Sequence, residues 1–133
     1  QSNEDFLDVL NVNLISNHRL IRSFEALLKN STHPKALFLT SSVSLKPKSF
    51  WGAYSISKAA LNHMIKIWGL ENKHNVFSVC TVEPGPTNTT LRKNAIPGEN
   101  INNLQNPQKI AESIVEILFS NTIYKGETIE LIF

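Results

Sequence analysis

Two short apolar runs, Ala36-Leu-Phe-Leu-Thr-Ser-Ser42 and Val76-Phe-Ser-Val-Cys-Thr-Val82, constrain the fold of this chain most. Neither alternates apolar with polar residues, so each suits a strand covered on both faces, as in a parallel sheet. Parallel neighbours need long crossovers, usually helical. Residues 4–29 supply one long helix or two, with Leu7, Leu10, Leu14, Leu20, Phe24 and Leu27 near a 3.6-residue period and Asn3 as N-cap. Asn11, Asn13 and Asn17 are poor interior helix formers, so the middle of that stretch is expected to deviate. Residues 53–72 form a second helix with the stripe Leu61, Met64, Ile65 and Trp68. Asn106-Pro107 is a cap-plus-first-turn signal for a third, striped by Ile110, Ile114, Ile117 and Leu118. Val43 to Phe50 reads as a loop, 89–106 as mostly irregular, and Glu127 to Phe133 as a last strand. The order α-β-α-β-α-β predicts an α/β fold with a parallel sheet and right-handed crossovers.

Composition narrows the function classes. With 133 residues, 41% of them hydrophobic, the chain suits one globular domain. Its net charge is only +2 and its Lys and Arg are scattered, so no basic stripe for nucleic acid is present. No apolar run approaches the ~18 residues of a membrane span, and the first residues have no signal-peptide pattern. Cys80 is the sole cysteine, which excludes an intrachain disulfide and suits a reducing, cytoplasmic setting. The four histidines share no metal-ligand spacing. The closest two of the five glycines are 13 apart, so the chain holds no glycine-rich phosphate loop.

Tyr54 and Lys58 carry the chemistry. Four apart on a helix, they share a face. A phenol of pKa about 10 stays protonated at neutral pH. A neighbouring ammonium favours the phenolate, which makes the phenol a better proton donor and acceptor. A relay at a carbonyl or alcohol oxygen needs such a group, although the same spacing also occurs as a plain solvated pair.

Four blocks in order give the pair a context: Asn11-Val-Asn13-Leu, Leu37 to Ser42, Ala53-Tyr54-Ser-Ile-Ser-Lys58-Ala-Ala-Leu61 and Pro84-Gly85-Pro-Thr87-Asn-Thr89. Together they resemble the short-chain dehydrogenase/reductases, NAD(P)-dependent oxidoreductases with a Rossmann-type, doubly wound parallel sheet. The resemblance implies Tyr54 as general acid in reduction and base in oxidation. It implies Lys58 as the group that lowers the Tyr54 pKa and binds the nicotinamide ribose, and a serine that hydrogen-bonds the substrate oxygen. Asn13 would hold a water linking Lys58 to solvent. Pro84, Gly85, Thr87 and Thr89 would lie beside the nicotinamide. Strand register favours Ser42 for the serine, whereas the family's interval from Tyr54 favours Ser41, and both stay open.

The resemblance covers residues 1–133 as the C-terminal catalytic portion of one such domain. The family's N-terminal dinucleotide-binding half, with its phosphate loop, has no counterpart here, and residues 36–42 are expected at an open sheet edge. NAD or NADP is the implied cofactor, a small carbonyl or alcohol the implied substrate, and a homo-oligomer packed through residues 4–29 and 53–72 the implied assembly. The alternative is a catalytically inactive remnant or interaction module without a cofactor site.

Overall fold

A computed structural model describes residues 2–73 and 75–131. Helices α1 (Asn3–Leu10) and α2 (Ser16–Lys29) run on either side of a π-helical turn at Asn11–Ile15. The cap falls one residue earlier than expected: Ser2 Oγ accepts from the Asp5 amide at 3.0 Å while the Asp5 carboxylate accepts from the Ser2 amide at 3.1 Å. That reciprocal box satisfies two amides, which Asn3 as cap would not match. The π turn falls on the asparagine-rich middle. It closes with an i→i−5 bond from the Ser16 amide to the Asn11 carbonyl, and Asn17 Nδ2 donates to the Asn13 carbonyl at 2.8 Å. Side chains that compete for backbone partners loosen the regular ladder there.

Strands β1 (Lys35–Leu39), β2 (Ser78–Glu83) and β3 (Lys125–Glu130) form a parallel sheet in the order β1-β2-β3. The register runs from Lys35 opposite Ser78 to Leu39 opposite Val82, and β3 meets β2 between Val79 and Glu83. Central β2 is buried along its whole length, whereas β1 is an edge, with no second neighbour among the described residues. Strand β3 starts at Lys125, ahead of the expected Glu127, and the expected strand residues Ile132 and Phe133 lie outside the described residues.

Two stretches expected to lack regular structure hold short helices: α3 (Ser42–Leu45), after β1, and α5 (Thr90–Ala95), followed by a 3-10 turn at Ile101–Asn103. Each is too short for a hydrophobic period to show in sequence. Helix α4 (Gly52–Glu71) is the long central helix, and α6 (Pro107–Phe119) starts where the sequence predicts, with the Asn106 side chain accepting from the Gln108 amide at 2.9 Å.

The core lies between α4 and the sheet. Leu61, Ile65, Trp68, Phe77 and Val79 form one buried cluster. Trp68 meets Phe77 edge-on at 4.7 Å between centroids and Phe38 at 6.3 Å. Each fully buried aliphatic side chain of this size stabilises by roughly 1.5–3 kcal/mol, so this cluster is the main anchor of α4. At its far end α4 touches β3 backbone to backbone. A Cβ on Gly69 would sit 2.3 Å from the Lys125 carbonyl carbon, and one on Gly126, at φ +96°, 2.5 Å from Lys66 Cα. Among the described residues no helix is long and apolar enough to cross a membrane, and no group of His, Cys, Asp and Glu suits a metal ion.

Candidate active site

The site sits where β1, β2 and the first turn of α4 converge. Phe50 takes φ 70° ahead of the helix, an uncommon conformation for a bulky residue, and the Ser55 amide closes the first turn onto the Trp51 carbonyl at 2.8 Å. Tyr54 and Lys58 then point the same way. Lys58 Nζ lies 5.9 Å from the Tyr54 ring centroid and donates to the Leu39 carbonyl, the last of β1, at 3.0 Å. Burial pushes the Lys58 pKa below its ordinary value. The Trp51 ring stands 5.8 Å from that of Tyr54, tilted by 55°.

Behind this pair lies a brace that the motif conceals. Ser57, fully buried between the two motif positions, donates through Oγ to the Tyr54 carbonyl at 2.8 Å. The same Oγ accepts from Asn13 Nδ2 at 3.0 Å. Asn13 thus ties the π turn to the turn of α4 that presents Tyr54, and it is not part of the cavity wall.

The two serines separate. Ser41 is extended, at φ −153° and ψ 151°, and lines the cavity. Ser42 opens α3 instead, and it is not among the wall residues. Its amide donates to Glu83 Oε1 at 3.1 Å, and the same oxygen accepts from the Gly85 amide at 3.0 Å. Buried Glu83 therefore clamps the turn after β1 to the turn after β2. The two serines part because β1 pairing ends at Leu39, extended by one bond from the Thr40 amide to the Val82 carbonyl, and the chain turns into α3 straight after Ser41.

Beyond Glu83 the loop is internally tied. Gly85 adopts φ 73°, which favours glycine, and Thr87 Oγ1 donates to the Gly85 carbonyl at 3.0 Å. Gln105 donates to the Pro86 carbonyl at 2.7 Å and accepts from the Asn88 amide at 3.0 Å, which pins the loop beside the start of α6. Thr89 caps α5 by accepting from the Arg92 amide at 3.2 Å. Arg92 is held by Glu99 through two contacts, Nε at 2.7 Å and Nη2 at 2.6 Å, and that carboxylate raises the Arg92 pKa.

These pieces enclose a cavity of about 660 Å³ at the carboxyl ends of β1 and β2. Ligands of open α/β sheets bind at such strand ends. Tyr54, Lys58, Pro84, Gly85, Thr87 and Thr89 all line it. Along this stretch the wall presents the left-handed Gly85, two prolines and two threonines. The wall also includes Trp51, Glu83, Leu91, Arg92 and Ile110, none of which the sequence pointed to as a site residue. A buried acid ahead of Pro84-Gly85 was the available signal for Glu83. Arg92 and Glu99, seven apart, gave none.

The profile described as short chain dehydrogenase matches residues 1–100. The uncharacterized oxidoreductase YciK of Escherichia coli is 31% identical over 110 residues, which are 83% of this chain and 43% of that protein. The benzil reductase ((S)-benzoin forming) IRC24 of Saccharomyces cerevisiae is 37% identical over 87 residues, 64% of this chain and 33% of that protein. A solved Escherichia coli CFT073 structure complexed with NADPH superposes with a TM-score of 0.91 at 27% identity, covering 98% of this chain and 54% of that one. The chain thus spans about half the length, or less, of the relatives it matches.

Proposed function

Because this chain belongs to the short chain dehydrogenase family, we propose that Tyr54 and Lys58 form the proton relay of an NAD(P)-dependent oxidoreductase acting on a small carbonyl or alcohol. The observation that carries this reading is the meeting of Tyr54, Lys58, Ser41 and the Pro84–Thr89 loop on one cavity at the strand ends. Tyr54 gives its proton to the carbonyl oxygen in reduction and takes it back in oxidation. Lys58 favours the phenolate through its charge and offers its remaining N–H bonds to a ribose. Ser41, rather than Ser42, hydrogen-bonds the substrate oxygen. Asn13 acts through Ser57 by holding the turn that carries Tyr54, with the expected water beside Lys58 an additional role. Pro84, Gly85, Thr87 and Thr89 would hold a nicotinamide, which when bound supplies or takes up the hydride.

The cofactor is NAD or NADP; the NADPH held by the solved relative supports the class. In this reading residues 1–133 are the catalytic portion of a longer domain whose other part supplies the phosphate cradle and pairs with the β1 edge. The buried Cys80 thiol, whose pKa burial and the nearby Glu127 push up to about 11, suits a reducing cytoplasm. Exposed Leu20, Phe24 and Leu27 on α2 with Ile56 and Ile67 on α4 support a homo-oligomer through these helices. Gel filtration that finds only monomer would remove that assembly.

The deciding experiment is Tyr54→Phe in the whole protein. Turnover should fall by about 10²–10⁴, the usual contribution of a positioned proton donor, while cofactor binding persists. Full activity in the variant would overturn the relay.

A further inference from the structure

The cavity wall combines a flat apolar corner with charges that are all engaged. Trp51 and Tyr54 set two rings at 55° to each other, and exposed Leu91 belongs to the same wall. Its charged side chains are Lys58, Glu83 and Arg92. Lys58 is turned to the Leu39 carbonyl, and Glu83 accepts two backbone amides. Arg92 is the cation that could meet a substrate carboxylate, but Glu99 grips it in two-point contact and neutralises it. Among the described residues Lys58, Glu83, Arg92 and Glu99 balance one another, and Lys48 lies near Glu99 from outside the wall. A carboxylate entering here would lose its hydration and find Arg92 already paired with Glu99, and Lys58 held by the Leu39 carbonyl and, in the reading above, by a ribose, which is costly.

We propose that this site takes uncharged aryl or similarly flat carbonyl compounds, and that the Arg92–Glu99 pair sets this preference by withholding Arg92 from carboxylate-bearing ones. The inference deepens the oxidoreductase reading and rests on it for turnover. In the reaction the carbonyl carbon gains the hydride of the reduced nicotinamide and the oxygen gains the Tyr54 proton. The products are the alcohol and the oxidised nicotinamide, and Tyr54 is reprotonated from solvent.

The test uses two probes of nearly equal shape, 1-phenyl-1,2-propanedione and phenylglyoxylate, in which a methyl group replaces a carboxylate oxygen. In the whole protein with reduced nicotinamide, kcat/KM should favour the neutral dione by at least about tenfold. Glu99→Gln leaves Arg92 charged and unpaired, and should move the ratio about tenfold toward phenylglyoxylate. The double variant Arg92→Met, Glu99→Met should keep the original preference, which separates charge from a folding defect. Equal or reversed rates in the unaltered protein would overturn the inference while leaving the oxidoreductase reading intact. Calorimetric titration with both probes gives the converse separation. Preferential binding of the neutral dione without turnover of either sustains the inference and sinks the oxidoreductase reading, and binding of neither sinks the inference.

Discussion

From Ser78 to Glu83 every residue of β2 is buried, whereas from Thr89 to Asn103 none is. Both stretches reach the same cavity, the first through Glu83 at its end and the second through Thr89, Leu91, Arg92 and Ala95. The first is held by a strand on each side, by α4 above and by a buried carboxylate at its end. The second is a short capped helix and a turn, closed by the single Arg92–Glu99 pair. Local stability follows buried apolar contact, so the two walls answer different demands. Under the proposed function the β2 wall, with α4, holds proton-transfer groups that tolerate little displacement. The 89–103 wall can change its side chains at little cost to the fold, and a substrate-facing surface needs that freedom.

The sharpest way to break this contrast is at the glycine contact. Alanine at Gly69 gains about 1 kcal/mol in helix propensity. Its Cβ would lie 2.3 Å from the Lys125 carbonyl, and overpacking of this kind costs about 1–3 kcal/mol or more. Gly69→Ala is therefore expected to lower the urea midpoint clearly; an unchanged midpoint would show that α4 is not seated as rigidly as described. Glu83→Ala comes next. It leaves the part-buried Ser42 and Gly85 amides without their acceptor, at about 1–2 kcal/mol in all since both can reach water, while Glu83→Gln keeps an acceptor and should stay within about 1 kcal/mol. Equal losses in the two variants would mean that charge rather than hydrogen bonding holds the clamp.

Lys58 gives a smaller, pH-dependent effect. Burial lowers its pKa in the folded chain, while the unfolded value stays near the ordinary 10.5. Between those two values the unfolded state binds more protons, so stability rises as pH rises through that window. Lys58→Met should lose this slope in denaturation midpoints measured from neutral pH to about 10.5. A slope that survives in Lys58→Met would assign it to another group. Smallest of all, Asn94→Ala and Lys93→Ala in the exposed wall should shift stability by no more than about 0.5 kcal/mol. A loss there as large as at Gly69 would erase the distinction between the walls.

Much of the β2 wall was legible in sequence because its signals are local and dense. The unbroken Val76–Val82 run gave a covered strand, the Asn106-Pro107 start gave α6, and the asparagine-rich middle of 4–29 marked the π turn. The family resemblance put Tyr54, Lys58 and the Pro84–Thr89 loop in one site, and strands that end at one sheet edge gather their loops in keeping with it. The remainder depended on where chain direction changes over two or three residues. Ser41 and Ser42 differ in which side of that change they occupy, and a period-2 argument does not tell where the strand stops. The Ser57 brace and the Arg92–Glu99 pair depend on contacts across 44 and 7 positions, which no periodicity encodes.

The Gly69–Gly126 contact has a mechanical consequence. Fifteen helical positions separate Gly69 from Tyr54, about 22 Å along the α4 axis. A tilt of about 5° at the glycine seat would swing the phenol by about 2 Å over that arm, and displacements of about 1 Å can cost roughly a hundredfold in rate. The seat is thus a fulcrum. Under the proposed function a change there would be felt first as a misaimed proton at the opposite end of α4, with the strand ends and the 84–89 loop still in place.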